Sequence, residues 1–216
     1  MAGDPLSPTD PRSIGDYTLL ARLGAGGMGR VYLARDRAGA QVAVKVLHDS
    51  LAGDPRFLAR FADEAAAAAR VAGFCTARVV RASVSGPRPF LVTEYVEGPT
   101  LAAVLAARGR LPGSEAEALA VGVAAALTAI HAAGIVHRDL KPSNVMLSAF
   151  GPKVIDFGVA RALDARAAAT EVGHVLGTPG WMAPEHLLGH TSPAGDVYVW
   201  GLLMAHAGGG WQSGGA

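Results

Sequence analysis

His137-Arg138-Asp139-Leu140-Lys141-Pro142-Ser143-Asn144 decides the reading of this chain. The stretch sets out a carboxylate, an ammonium and an amide at fixed spacing. Asp139 can accept or orient the proton of a hydroxyl group. Lys141, two residues on, brings a positive charge to the same place. Asn144, five residues after Asp139, offers a neutral amide oxygen, one of the hard ligands that Mg²⁺ prefers. A plain charged turn between a helix and a strand would need none of these types at a set spacing.

Three further stretches bear on this one. Asp156-Phe157-Gly158 follows Asn144 by twelve residues and closes the apolar run Lys153-Val154-Ile155. Upstream, Tyr17 to Leu23 runs into Gly24-Ala25-Gly26-Gly27-Met28-Gly29. A nucleotide P-loop would end in Gly-Lys-Ser/Thr, and a dinucleotide fingerprint would open a helix. Here Gly29 leads instead into Val31-Tyr32-Leu33-Ala34, which reads as a strand. A glycine loop between two strands lets backbone amides approach phosphate oxygens with no Cβ between. Val42-Ala43-Val44-Lys45-Val46-Leu47 is the next strand. Its single Lys inside an apolar run requires an anionic partner, because a bare buried charge is costly.

Taken together, these motifs resemble the bacterial eukaryotic-like serine/threonine protein kinases. The resemblance implies an α+β, protein-kinase-like two-lobe fold: a β-rich N-lobe with helix αC, and a helical C-lobe that is incomplete in these 216 residues. It implies ATP and Mg²⁺ as cofactors and Ser/Thr hydroxyls of proteins as acceptors. Asp139 and Lys141 would act on the hydroxyl and the transferring phosphoryl group. Lys45 would hold the α- and β-phosphates and pair with a glutamate of αC. Phe61 to Glu64 matches the family's Phe-x-x-Glu spacing, so Glu64 is expected in that role over Asp63. Asn144 and Asp156 would hold Mg²⁺. Gly24, Gly26 and Gly29 would cover the phosphates. Leu23, Val31, Ala43, Thr93 and Met146 would line the adenine pocket, and backbone groups of Glu94 and Val96 would bond the base. Each of these apolar residues is equally well explained as core, and only the resemblance separates the two readings. Asp196 would anchor the backbone of the 137–144 loop.

The activation segment would run from Asp156 to Ala183-Pro184-Glu185. Thr170 is the hydroxyl residue between Gly158 and Gly177. It is expected to be autophosphorylated, because an Arg–phosphate pair near Arg138 would order a mobile segment; an ordinary loop residue is the alternative. Lys141 and Gly177-Thr178 point to serine and threonine acceptors.

The remaining elements follow from caps and periodicity. Asp54-Pro55 predicts a helix start, with the helix running to about Val71. Leu101 to Arg108 reads as a short helix. Ser114 with Glu117 makes a capping box opening a helix to about Ala133, stopped by Gly134. Ser192-Pro193 caps the last helix. The expected organisation is a disordered leader over 1–16, rich in Pro, Asp and Ser, an N-lobe and hinge over 17–96, a partial C-lobe over 97–204, and a Gly-rich tail over 205–216. Helices αG to αI of the family have no counterpart, so Leu202, Leu203, Met204 and Trp211 are expected at an exposed, association-prone surface.

Composition narrows the remaining classes. Half the residues are hydrophobic and the formal net charge is +1, which gives no electrostatic footprint for nucleic acid. Cys75 is the lone cysteine, excluding an internal disulfide framework. It reads as a small packed residue, compatible with a reducing cytoplasm. Residues 1–16 hold no apolar h-region, so they are not expected to be a signal peptide, and no run of 18 apolar residues predicts a membrane span. His186 and His190 stand four apart but lack a third ligand, so metal binding there is not expected. Two functional readings remain: a protein serine/threonine kinase, or a nucleotide-binding, pseudokinase-like fragment without catalysis.

Overall fold

The computed structural model describes residues 3–26, 29–86, 88–157 and 180–210. The chain divides into two compact units, the first from residues up to Ala69 with Arg78–Tyr95, the second from Arg70–Ala77 with the residues from Val96 onward.

Alternating apolar side chains build the first unit as a twisted antiparallel sheet. Its strands are β1 (Asp4–Pro5), β2 (Ser13–Ile14), β3 (Tyr17–Gly26), β4 (Gly29–Arg35), β5 (Gln41–Leu47), β6 (Val79–Ser83) and β7 (Phe90–Glu94), in the order β1-β3-β4-β5-β7-β6, with β2 also on β3. Val42, Val44 and Val92 face one side with Tyr17, Leu19, Tyr32 and Phe90, forming an apolar cluster. Tyr17 and Phe90 meet edge to face at 6.1 Å. Two helices follow β5: α1 (Asp49–Ala52) and α2 (Pro55–Ala68). Asp54 caps α2 by accepting from the Arg56 N–H at 2.8 Å. Phe57, Phe61, Ala65 and Ala68 form the buried stripe of α2, as an i, i+4 periodicity requires.

The disordered leader expected over 1–16 is not what folds. Asp4–Pro5 and Ser13–Ile14 pair with β3, and Asp10 between them is 5% exposed. The Pro- and Asp-rich composition concealed this order, because the segment is held by one buried carboxylate and two scattered apolar residues, Ile14 in the core cluster and Leu6 packed against it, with no repeating apolar pattern.

The second unit is helical around a two-stranded hairpin. It contains α3 (Leu101–Arg108), α4 (Gly113–Ala132), β8 (Val145–Ser148), β9 (Gly151–Val154), α5 (Pro184–Leu187) and α6 (Pro193–Ala207). Thr100 caps α3 through the Ala103 N–H at 3.1 Å. The capping box expected at Ser114 does not form. The helix starts at Gly113, and Pro112 at its N-cap accepts no side-chain bond, so Pro112 sets the entry in place of Ser114. Helix α4 buries Leu119, Val123, Ala126, Leu127 and Ile130 and packs on β9 and α6. By length and composition α4 is the one described helix apolar enough to cross a membrane, and that buried stripe gives its apolar character a packing role. The segment Arg70–Ala77 adds to β9: Val154 donates to the Cys75 carbonyl at 2.8 Å and Ala77 donates to that of Val154 at 3.1 Å. Cys75 is buried, and burial pushes its thiol pKa up, as a packed residue requires.

Helix α6 runs through Ala207, beyond the break expected at Ala205. Leu111 donates to the Ala207 carbonyl at 2.8 Å, so a partner from outside the helix completes its last turn. Leu203 is fully buried, and Leu202 and Met204 are half-buried. The exposed apolar residues of α6 are instead Val197 and Tyr198, at 51% and 46%. Residues 211–216, Trp211 among them, lie outside the described residues, as do Thr170, Gly158, Gly177 and Thr178.

Candidate active site

Helix α4 ends at Ala132 and Gly134 turns the chain, with its N–H donating to the His131 carbonyl at 2.9 Å. The loop that follows is held from beneath by one carboxylate. Asp196, in the first turn of α6 and 1% exposed, accepts from the His137 N–H at 2.7 Å and the Arg138 N–H at 3.0 Å. This is the anchoring role expected of Asp196. The His131 Nε2 donates to the same carboxylate at 2.8 Å. Sequence reasoning missed His131; a histidine in the last turn of the helix that delivers the loop was the available signal. Arg138 has φ +66°, a left-handed conformation that a non-glycine residue holds only when its neighbours enforce it.

His137 is fully buried, and burial lowers its pKa, so the ring is neutral. Its Nδ1 accepts from the Asp139 N–H at 3.2 Å, which puts the proton on Nε2. Phe157, buried, lies 6.4 Å from His137 between ring centroids. The loop therefore closes over a packed pair of rings.

The three chemical residues meet as expected. Lys141 Nζ lies 3.0 Å from Asp139 Oδ2. Asn144 Nδ2 donates to the Asp139 carbonyl at 2.8 Å and to Asp139 Oδ2 at 3.2 Å. Those two acceptors fix the amide orientation and make Oδ1 the atom Asn144 can offer a cation. Ile155 donates to the Asn144 carbonyl at 2.9 Å, tying the loop to the residue before Asp156. Asp156 itself is exposed, with φ +56°. Among the described residues no group of three His, Cys, Asp or Glu could hold a metal ion. An amide oxygen and a carboxylate suit Mg²⁺, which takes few protein ligands and keeps water and phosphate.

In the first unit, strand register sorts the predicted nucleotide residues. Val31 pairs with Lys45, which pairs with Leu91; Leu33 pairs with Ala43, which pairs with Thr93. Directly opposed residues share a sheet face, so Val31, Ala43, Lys45 and Thr93 lie on one side, opposite the Val42–Val44 cluster. Gly29 is required by a close approach: a Cβ there would collide with the Val46 carbonyl. His48 Nε2 donates to the Gly26 carbonyl at 3.0 Å, a hold on the glycine loop that the sequence did not signal. On α2, Glu64 is half-buried and Asp63 exposed. The Glu94 N–H donates to Arg78 at 2.9 Å, so the carbonyl is the group Glu94 would offer a base. Val96 is buried and Met146 half-buried in the second unit, where Met146 bridges to Thr100.

A loop of this geometry, preceded by a glycine-rich hairpin and followed by Asp156-Phe157, defines a protein kinase domain. The family described as the protein kinase domain matches residues 17–209, and the chain belongs to it. It is 48% identical over 205 residues to the probable serine/threonine-protein kinase PkwA of Thermomonospora curvata, covering 94% of this chain and 28% of that protein. It is 46% identical to the serine/threonine-protein kinase AfsK of Streptomyces coelicolor, covering 94% of this chain and 26% of that protein. The chain thus spans little more than a quarter of the length of these relatives. The crystal structure of the Mycobacterium tuberculosis PknI kinase domain superposes with a TM-score of 0.73 at 29% identity, covering 92% of this chain and 76% of that one.

Proposed function

We propose that this domain transfers the γ-phosphoryl group of Mg-ATP to Ser and Thr hydroxyls of proteins, its own included. The observation that carries the reading is the Asp139–Lys141–Asn144 cluster, fixed by Asp196 and His137. Asp139 orients the acceptor hydroxyl and takes its proton as the oxygen attacks phosphorus in line. Lys141 stabilises the charge on the transferring group. Lys45, paired with Glu64, and the loop of Gly24, Gly26 and Gly29 position the phosphates. Leu23, Val31, Ala43, Thr93, Glu94, Val96 and Met146 receive the adenine. Asn144 Oδ1 and the Asp156 carboxylate would hold Mg²⁺, which neutralises phosphate charge when bound. The names of the relatives support serine and threonine as acceptors, and Thr170 is the proposed autophosphorylation site. Incubation with Mg-ATP and a protein carrying Ser, Thr and Tyr, followed by phosphoamino-acid analysis, tests this. Phosphoserine or phosphothreonine is expected; phosphotyrosine alone would overturn the assignment.

A further inference from the structure

Residues 3–14 precede the family match, which begins at residue 17, yet they hold one of the two buried carboxylates among the described residues. Asp10 Oδ2 accepts from the Ser7 N–H at 2.8 Å. Arg22 Nη2 donates to both carboxylate oxygens at 2.8 and 2.7 Å, and the Tyr32 hydroxyl donates to Oδ1 at 2.8 Å. Arg30 Nη1 lies 3.9 Å away. The Arg22 guanidinium holds the Asp10 carboxyl down to a pKa of about 2, so the group stays ionised at any working pH.

The partners are what matter. Arg22 stands on β3, two residues before Gly24, and Tyr32 on β4, three after Gly29. They are directly opposed in the ladder. One carboxylate therefore grips both strands of the glycine hairpin at a single level. It does so where the ladder is irregular: the register of β3 against β4 slips between Arg22 and Gly24. A slip leaves backbone pairing locally disrupted, so side-chain contacts decide where the loop begins. Gly3, at φ +81°, closes the segment against Arg22, and a Cβ there would strike the Arg22 carbonyl.

We propose that residues 3–14 are a strap that sets the glycine loop, with Asp10 a positioning residue for nucleotide phosphates. This rests on the kinase reading above. Plain protection of a sheet edge would stabilise the unit without affecting the loop or the nucleotide.

The test uses the full chain with Asp10→Asn and, as a milder variant, Tyr32→Phe. Two quantities are read: amide exchange across β3 and β4 against that of β5 and β7, and the Kd for Mg-ATP from titration with a fluorescent analogue. Losing charge-assisted bonds at Asp10 should speed exchange in residues 22–31 about tenfold with β5 and β7 unchanged. The Mg-ATP Kd should rise about three- to tenfold, with less than about a twofold change in kcat at saturating ATP. Uniform exchange gain, or unchanged loop exchange and Kd beside a lower melting temperature, would overturn the strap's role. Should Asp10→Asn fail to fold, Tyr32→Phe decides by the same readouts. Should the parent bind no Mg-ATP, the kinase reading fails, and loop exchange alone decides whether the strap sets the loop.

Discussion

Asp196→Asn isolates the hold on the 137–144 loop. Oδ2 takes the His137 N–H and the His131 Nε2, at 2.7 and 2.8 Å, while Oδ1 takes the Arg138 N–H at 3.0 Å. An asparagine can keep its oxygen at the two-bond side only by turning its NH₂ toward the Arg138 N–H, donor against donor. Leaving that partly buried N–H without an acceptor costs about 1–3 kcal/mol, and turning two charge-assisted bonds into neutral ones costs about 0.5–1 kcal/mol more. The sum, about 1.5–4 kcal/mol, is a large share of the roughly 5–15 kcal/mol that holds a domain together, but it leaves the chain folded. Without its acceptor, Arg138 loses one contact that holds it at φ +66°, and Asp139 is expected to shift with it. Urea unfolding should show the midpoint falling at constant m, with phosphoryl transfer falling further than nucleotide binding. An Asn variant within about 0.5 kcal/mol of the parent would refute the reasoning, because mutation of a satisfied buried carboxylate cannot be that cheap.

Other expectations follow from single contacts. Gly122→Ala on α4 would drive a Cβ into the Pro152 ring and should destabilise by about 1–3 kcal/mol in denaturant titration despite alanine's better helix propensity. Gly201→Ala on the exposed side of α6 meets no described atom and should stabilise by about 0.5–1 kcal/mol. His48→Ala removes the donor to the Gly26 carbonyl, a bond at the surface; the KM for ATP should rise about two- to fivefold with little change in Tm. His137 titrates below the ordinary imidazole value of 6.5 because it is buried. Below pH 6.5 the unfolded chain takes a proton that the folded chain refuses, so this contribution is present above that pH and is lost as pH falls. The urea midpoint of the parent should drop more steeply between pH 7 and 5 than that of His137→Phe.

The catalytic loop was legible because its chemistry is local. Asp139, Lys141 and Asn144 lie within six residues, and their bonds to one another need only a tight turn. Helix α3 and the caps Asp54 and Ser192 read equally directly, since each cap is a side chain against its own next turn, whereas the Thr100 cap of α3 emerged only in the structure. What sequence did not yield depends on long-range pairing. Asp10 meets Tyr32 across 22 residues and His131 meets Asp196 across 65. Neither pair has a periodicity, and the leader's Pro and Asp content pointed the other way. Ser114 and Glu117 offered a valid capping pattern, but Pro112 started the helix first.

The most direct test of the account is single-turnover transfer of labelled γ-phosphate from Mg-ATP, comparing the parent with Asp139→Asn while ATP binding is followed separately. General-base positioning by Asp139 predicts transfer slower by about 10²–10⁴-fold with ATP affinity within about twofold. Equal transfer by both proteins, or no transfer by a folded parent that binds Mg-ATP, would contradict it.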